Sequence, residues 1–183
     1  MTDDELVNMF INGNKSAFNE LYEKYINQAV RTAFLITKDR ALSDDVAQET
    51  FVKCYLGLKK LKDPKLFRSW FFKILVRTAW ELGKKKANDV PIEEIFDKAE
   101  AAFEKDEETS DFRLLYEAVN SLSKKQRTAV VLFYFNDMPV NEISKITGCL
   151  TSTVKSQLFL ARKRMRKYIE NAERKGGLIA NEA

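Results

Sequence analysis

Three clusters of polar side chains stand out in this sequence, and each suits binding better than bond-breaking. Asp44, Asp45, Gln48 and Glu49 place carboxylates and an amide on successive helical turns, with Phe51 beside them. At steps of three and four, Asp45, Gln48 and Glu49 project together, a face fit to meet a basic partner helix. Between Leu61 and Lys86 cations and aromatics interleave: Lys62, Lys65, Arg68, Trp70, Lys73, Arg77, Lys84, Lys85 and Lys86. Single-stranded nucleic acid is held this way, with cations along the phosphates and rings stacked on unpaired bases. For Trp70 and Phe71 a place in a core is the competing reading. Near the end, Ser152, Lys155, Ser156, Phe159, Arg162 and Lys163 fall on one side of a helix. That side suits a DNA major groove, where Lys and Ser reach base edges or phosphates and an exposed Phe touches thymine methyls. An ordinary solvated helix face with a stray aromatic is the alternative.

Several classes of chemistry are excluded. The 183 residues contain no histidine. Ser-His and Cys-His nucleophiles and imidazole zinc sites therefore drop out. The carboxylates follow helix caps, an acidic segment and exposed faces, and no Glu-x-x-His pair is present. We expect no catalytic residue, no metal, no cofactor and no small-molecule substrate. The two cysteines, Cys54 and Cys149, are far apart and lack metal-ligand spacing. Half-buried thiols in a reduced cytoplasmic protein fit them. No apolar run nears the roughly 18 residues of a membrane span, and no signal peptide opens the chain, so a cytoplasmic location is expected. Net charge is only +4. Its distribution is more telling, with Lys and Arg gathered at about 65–86 and 155–175 and acids at about 93–111.

The elements that must position these clusters read as helices almost throughout. Six glycines and three prolines are too few for the turns of an all-β fold. Thr2 and Glu5 have capping-box spacing, and a short helix runs to Asn12-Gly13-Asn14. Phe18, Leu21, Tyr22, Tyr25, Ile26, Ala29, Val30, Ala33 and Phe34 form one apolar stripe. Asp39 caps a third helix bearing Leu42, Val46, Phe51, Tyr55 and Leu58. Lys62-Asp63-Pro64 breaks it from an aromatic helix over about 66–86. Residues 88–111 are acidic, poor in large apolar side chains, and read as a linker. Beyond it Leu114, Leu115, Ala118, Val119 and Leu122 share a face. Ser123 and Gln126 form a second capping box, opening a helix through Phe135. Asn136-Asp137-Met138 makes a turn, and Pro139 fits the first turn of a short helix ended by Gly148. Thr151 or Ser152 then caps the last helix, whose inner stripe is Val154, Leu158, Ala161, Met165 and Ile169. A short helix, a glycine turn and a basic helix make a helix-turn-helix.

These residues carry a resemblance. Leu122-Ser123, Gln126-Arg127, Val130 to Phe135, Glu142-Ile143-Ser144, Thr153-Val154-Lys155-Ser156 and Ala161-Arg162 resemble region 4 of extracytoplasmic-function sigma factors, in the sigma-70 family. Asp44-Asp45-Val46-Ala47-Gln48-Glu49-Thr50-Phe51 resembles the region 2 signature, and Phe67-Arg68-Ser69-Trp70 its aromatic run. The resemblance covers about 15–170. It implies that Asp44, Asp45, Gln48, Glu49 and Phe51 grip the clamp helices of the largest RNA polymerase subunit. It implies that Leu61, Lys62, Lys65, Arg68, Trp70, Lys73, Arg77, Lys84, Lys85 and Lys86 hold the −10 element, the segment Leu61 to Leu66 accepting a flipped base. Ser152, Thr153, Lys155, Ser156, Phe159 and Arg162 then read the −35 element. The partners implied are core polymerase, including the flap of its second-largest subunit, promoter DNA and an inhibitory anti-sigma protein. Leu160 stands where many relatives carry Arg, Arg77 for a common Asn and Glu81 for a common Asp.

The expectation is an all-α protein of two small helical domains: 1–87 a region 2 bundle, 88–111 a linker, 112–173 a region 4 helix-turn-helix, 174–183 a tail. A free-standing helix-turn-helix regulator on operators is the rival, but it leaves the first half unexplained. A carboxylate-metal enzyme is a remoter one.

Overall fold

A computed structural model describes residues 1–87 and 110–180. It carries eight α-helices among those residues, and no strand. The chain divides into two compact units, one built around the N-terminal helices and one around the C-terminal helices. The expected linker lies outside the described residues, except 110 and 111.

In the first unit, α1 (Asp3–Ile11), α2 (Ser16–Thr37), α3 (Arg40–Gly57) and α4 (Phe67–Ala87) pack on one another. Local chemistry sets their ends. The Thr2 amide donates to the Glu5 carboxylate at 2.8 Å, and the Glu5 amide returns to Thr2 Oγ1 at 3.4 Å, closing the expected capping box. Asp39 caps α3 by accepting from the Leu42 amide at 3.0 Å. Between α3 and α4 lie two 3-10 turns, Leu58–Lys60 and Pro64–Leu66. The second is opened by Asp63, which accepts from the Lys65 amide at 3.0 Å. The end of α2 was not legible: Lys38 takes the left-handed conformation at φ 65° that usually favours glycine or asparagine.

The core of this unit is aromatic. The Tyr25 ring lies 5.4 Å from Phe67 and 5.0 Å from Phe71, and Phe71 lies 5.2 Å from Phe51. Phe67, Phe71 and Phe72 are fully buried, each ring stabilising by roughly 1.5–3 kcal/mol through area alone. Phe67 follows directly on the 3-10 turns, so this burial fixes where the loop Leu61–Leu66 leaves the body of the unit. From α1, Asp3 accepts a hydrogen bond from the Tyr25 hydroxyl and pairs with Lys24 at 2.6 Å.

The C-terminal helices are α5 (Ser110–Asn120), α6 (Lys124–Val130), α7 (Val140–Thr147) and α8 (Thr151–Ala180). α5 and α6 both pack on α8. Ser123 and Gln126 close the second capping box at 3.2 and 3.4 Å. The helix expected to run regularly through Phe135 instead changes to a π-helical turn over Val131–Phe135. The buried Asn136 amide satisfies the Val131 carbonyl at 3.0 Å, and the Met138 amide satisfies that of Leu132 at 3.1 Å. Pro139 falls one residue before α7, its carbonyl taking the Glu142 and Ile143 amides. Gly148 turns at φ 70°, as the sequence requires. Thr151 is already helical, and the Val154 amide bonds the Leu150 carbonyl, so the cap falls on Leu150 and not on Thr151 or Ser152. Leu115, expected inside, is exposed. α8 continues to Ala180, through most of the expected tail.

Candidate polymerase and promoter surfaces

On α3, Asp44, Asp45, Gln48 and Glu49 are all exposed, while Val46, Ala47 and Thr50 on the opposite side are buried. Phe51 does not join the exposed group. Only 5% of it is accessible, and its ring packs 4.7 Å from Tyr22 and 6.3 Å from Phe18 as well as on Phe71. It is a core residue that holds α3 against α2 and α4. The apolar side chains beside the carboxylates are Val52 and Leu56, 53% and 72% exposed. They stand seven and eleven residues after Asp45, on the same stripe. With Phe18, Phe51 and Tyr55 they line a shallow apolar hollow. The sequence analysis missed them, although helical spacing alone would have found them.

Glu49 also faces Lys53, whose Nζ lies 3.5 Å from it. The same ammonium lies 3.3 Å from Glu81 and 3.2 Å from the Thr78 hydroxyl, joining α3 to α4. Glu81 is the only acid in α4.

Of the residues expected to hold unpaired DNA, Lys62, Lys65, Arg77 and Lys84 are exposed, and Leu61, Arg68, Trp70 and Lys73 are half-buried. Arg68 is held over the Phe72 ring, 5.8 Å from its centre. Trp70 lies on the end of α3, where a Cβ added at Gly57 would meet its ring at 3.1 Å. Glycine at 57 therefore admits the indole. Part of Trp70 is thus structural, as its competing reading allowed, and Phe71 is wholly so. Lys73, Arg77 and Lys84 follow one another at steps of four and seven and share a side of α4. Lys85 and Lys86 continue that helix, and their side chains lie outside the described residues.

On α8, Ser152, Lys155, Ser156, Phe159 and Arg162 are exposed and Thr153 is half-buried. Val154, Leu158 and Ala161 of the expected inner stripe are buried, while Met165 and Ile169 are half-buried. Arg162 Nε donates to the Leu158 carbonyl at 3.3 Å. Leu150 and Leu160 are exposed as well. Arg127, from the Gln-Arg motif, is buried. Its guanidinium bonds the Leu122 carbonyl at 3.1 Å, and burial pulls its pKa down to about 10 against the opposing effect of Tyr116. It is a staple between α5 and α6 and not a DNA contact.

Cys54 is buried, and desolvation pushes its thiol up to about 12, while Cys149 is half-buried. Among the described residues no group of His, Cys, Asp and Glu is arranged to hold a metal ion, and no helix is long and apolar enough to cross a membrane.

Comparison with known proteins agrees with this layout. The family described as Sigma-70 region 2 matches residues 21–87, and that described as Sigma-70, region 4 matches 112–165. The chain is 35% identical over 137 residues to the RNA polymerase sigma factor SigV of Bacillus subtilis, covering 74% of this chain and 81% of that one. It is 26% identical over 185 residues to the ECF RNA polymerase sigma-E factor of Haemophilus influenzae, covering 93% and 96%. The fold is similar to CnrH, solved with the cytosolic domain of CnrY, with a TM-score of 0.71 at 21% identity over 92% of this chain and 97% of that one. With both regions matched in order and a relative of this similarity over most of its length, the chain belongs to the extracytoplasmic-function group of the sigma-70 family.

Proposed function

We propose that this chain joins core RNA polymerase and directs it to promoters. The observation that carries the reading is the segregation of three surfaces. An acidic face on α3 is flanked by exposed apolar residues. A basic stripe runs along α4 and the loop before it. A polar, cationic face lies on the helix-turn-helix. The first suits the basic clamp helices of the largest polymerase subunit. The second suits the unpaired non-template strand of the −10 element, with Leu61, Lys62 and Lys65 around a flipped base. The third suits the −35 duplex. The flap of the second-largest subunit is the expected dock for the second unit.

The mechanism is differential binding. Contacts made only to unpaired bases stabilise open over closed DNA and shift that equilibrium. This chain then needs no reaction chemistry, cofactor or small-molecule substrate of its own, and the polymerase performs catalysis. The reading places it in the cytoplasm. CnrH is bound to a partner in its solved structure, and a sigma factor from Bartonella quintana is bound to an anti-sigma factor in another. We extend that to an inhibitory partner here, covering the same surfaces. Run-off transcription with core polymerase on genomic fragments, with start-site mapping, tests the function. Specific starts that depend on this chain support it. DNA binding without promoter-specific initiation would return the chain to the class of free-standing regulators.

A further inference from the structure

We propose that Leu160, together with Phe159, makes the −35 reader of this chain a detector of thymine methyl groups. The inference rests on the promoter reading above and names what its third surface recognises. Phe159 is 65% exposed and Leu160 46% exposed. They are consecutive on α8, about 100° apart around its axis. With Lys155 and Ser156 they line a shallow, open notch. Two large apolar side chains, side by side on a charged helix, leave surface in water that a ligand gains by covering.

The rim says what kind of ligand. Lys155, Arg162 and Lys163 are exposed around the apolar pair. The occupant is therefore anionic at its edges and apolar at its centre. A duplex major groove meets both demands where it presents thymine, whose C5 methyl stands beside an O4 acceptor and between two phosphate walls. Lys155 and Ser156 lie one turn before the apolar pair, about 6 Å along the axis, roughly two base-pair steps. There the ammonium and hydroxyl donate to an acceptor or a phosphate while the methyl fills the notch. Arginine at position 160 would instead bond guanine O6 and N7 with two parallel hydrogen bonds. Leucine offers no donor, so preference at the facing base pair moves from guanine to thymine.

Holoenzyme reconstituted from the full chain and core polymerase would select promoters from a library randomised across the −35 element. Each thymine of the selected element would then be replaced by deoxyuridine, which removes only the methyl. The expected result is a loss of about three- to tenfold in affinity at one or two positions. Leu160→Ala should erase that difference, and Leu160→Arg should turn selection at the same position toward guanine. Equal binding of every deoxyuridine promoter and its thymine parent would overturn the inference. So would a methyl effect that survives both Leu160→Ala and Phe159→Ala. Promoter selection without a methyl effect fails this inference alone. Failure to select any promoter fails the sigma reading and this inference with it.

Discussion

Phe51 and Phe159 are the same residue in two regions, and both were candidates for contact with a partner. One is 5% exposed and the other 65%. The difference lies in how many neighbours each helix has. α3 is packed by both α2 and α4, so most of its circumference is committed to a core and only the stripe from Asp45 to Leu56 stays open. In the helix-turn-helix, Val154, Leu158 and Ala161 take the whole inner side of α8, and the outer side is left to water. The same residue type is therefore core at Phe51 and surface at Phe159.

The largest effect expected breaks this comparison directly. Phe51→Ala removes a ring packed on Phe18, Tyr22 and Phe71 and should lower the stability of the first unit by about 3–5 kcal/mol. Phe159→Ala should change stability by no more than about 0.5 kcal/mol. Denaturant unfolding followed by circular dichroism checks both. A small effect at Phe51 would mean that α3 does not depend on its aromatic contacts and would return that ring to the polymerase surface.

A second consequence of burial is a pH dependence of the first unit. The folded Cys54 thiol is raised from 9.0 to about 12 by desolvation. Below pH 9 the thiol is neutral in folded and unfolded chains alike, and its contribution to stability is complete. As pH rises from 9 toward 12 the unfolded chain ionises first, and that contribution is lost. The loss should reach roughly 2 kcal/mol by pH 10.5. Unfolding at pH 8 and 10.5 should show this slope in the wild type and a reduced one in Cys54→Ala. At pH 8, an alkylating reagent should label Cys149 well before Cys54.

The open stripe of α3 predicts a smaller, binding-specific effect. Asp45→Arg with Gln48→Ala should weaken core polymerase binding by about tenfold or more and leave helix content unchanged. Leu56→Asp, on the same stripe, should do likewise. Competition for core polymerase measures this. Undiminished competition by both variants would remove α3 from the interface.

The same comparison explains what the sequence made legible. Helix existence, both capping boxes, the Asp39 cap, the glycine turns and the two faces of α8 follow from local chemistry, which neighbouring residues contain in full. Phe51, Trp70 and Leu115 do not, because their environments depend on helices distant in sequence. Trp70 could be placed only with knowledge that α3 ends in a glycine beneath it. The π-helical turn at Val131–Phe135 had no local sign, since its carbonyls are satisfied by Asn136 and Met138 in a turn that reads as ordinary. Val52 and Leu56 are legible by helical spacing from Asp45, seven and eleven residues on.

The smallest effect expected tests whether the two working surfaces of the first unit are electrically separate. Lys53 comes from the acidic helix α3, and Glu81 is the only acid on the basic helix α4. Glu81 stands four residues after Arg77 and three before Lys84, so its carboxylate lies within the stripe expected to follow phosphates. Lys53 Nζ, 3.3 Å away, offsets that charge. As a surface pair it should contribute no more than about 1 kcal/mol to folding, so Lys53→Met should be nearly neutral in unfolding experiments. Its effect should appear in DNA binding. The variant leaves the Glu81 charge without its Lys53 counter-charge, and holoenzyme affinity for a single-stranded −10 oligonucleotide should fall a few-fold below wild type at low salt, a deficit that narrows as salt screens the repulsion. Adding Glu81→Gln to Lys53→Met should restore most of the loss, because the offending charge is gone. If the double variant binds no better than Lys53→Met alone, Lys53 acts on the strand directly and not through Glu81. The acidic helix would then carry part of the DNA surface, and the division drawn between α3 and α4 would not hold.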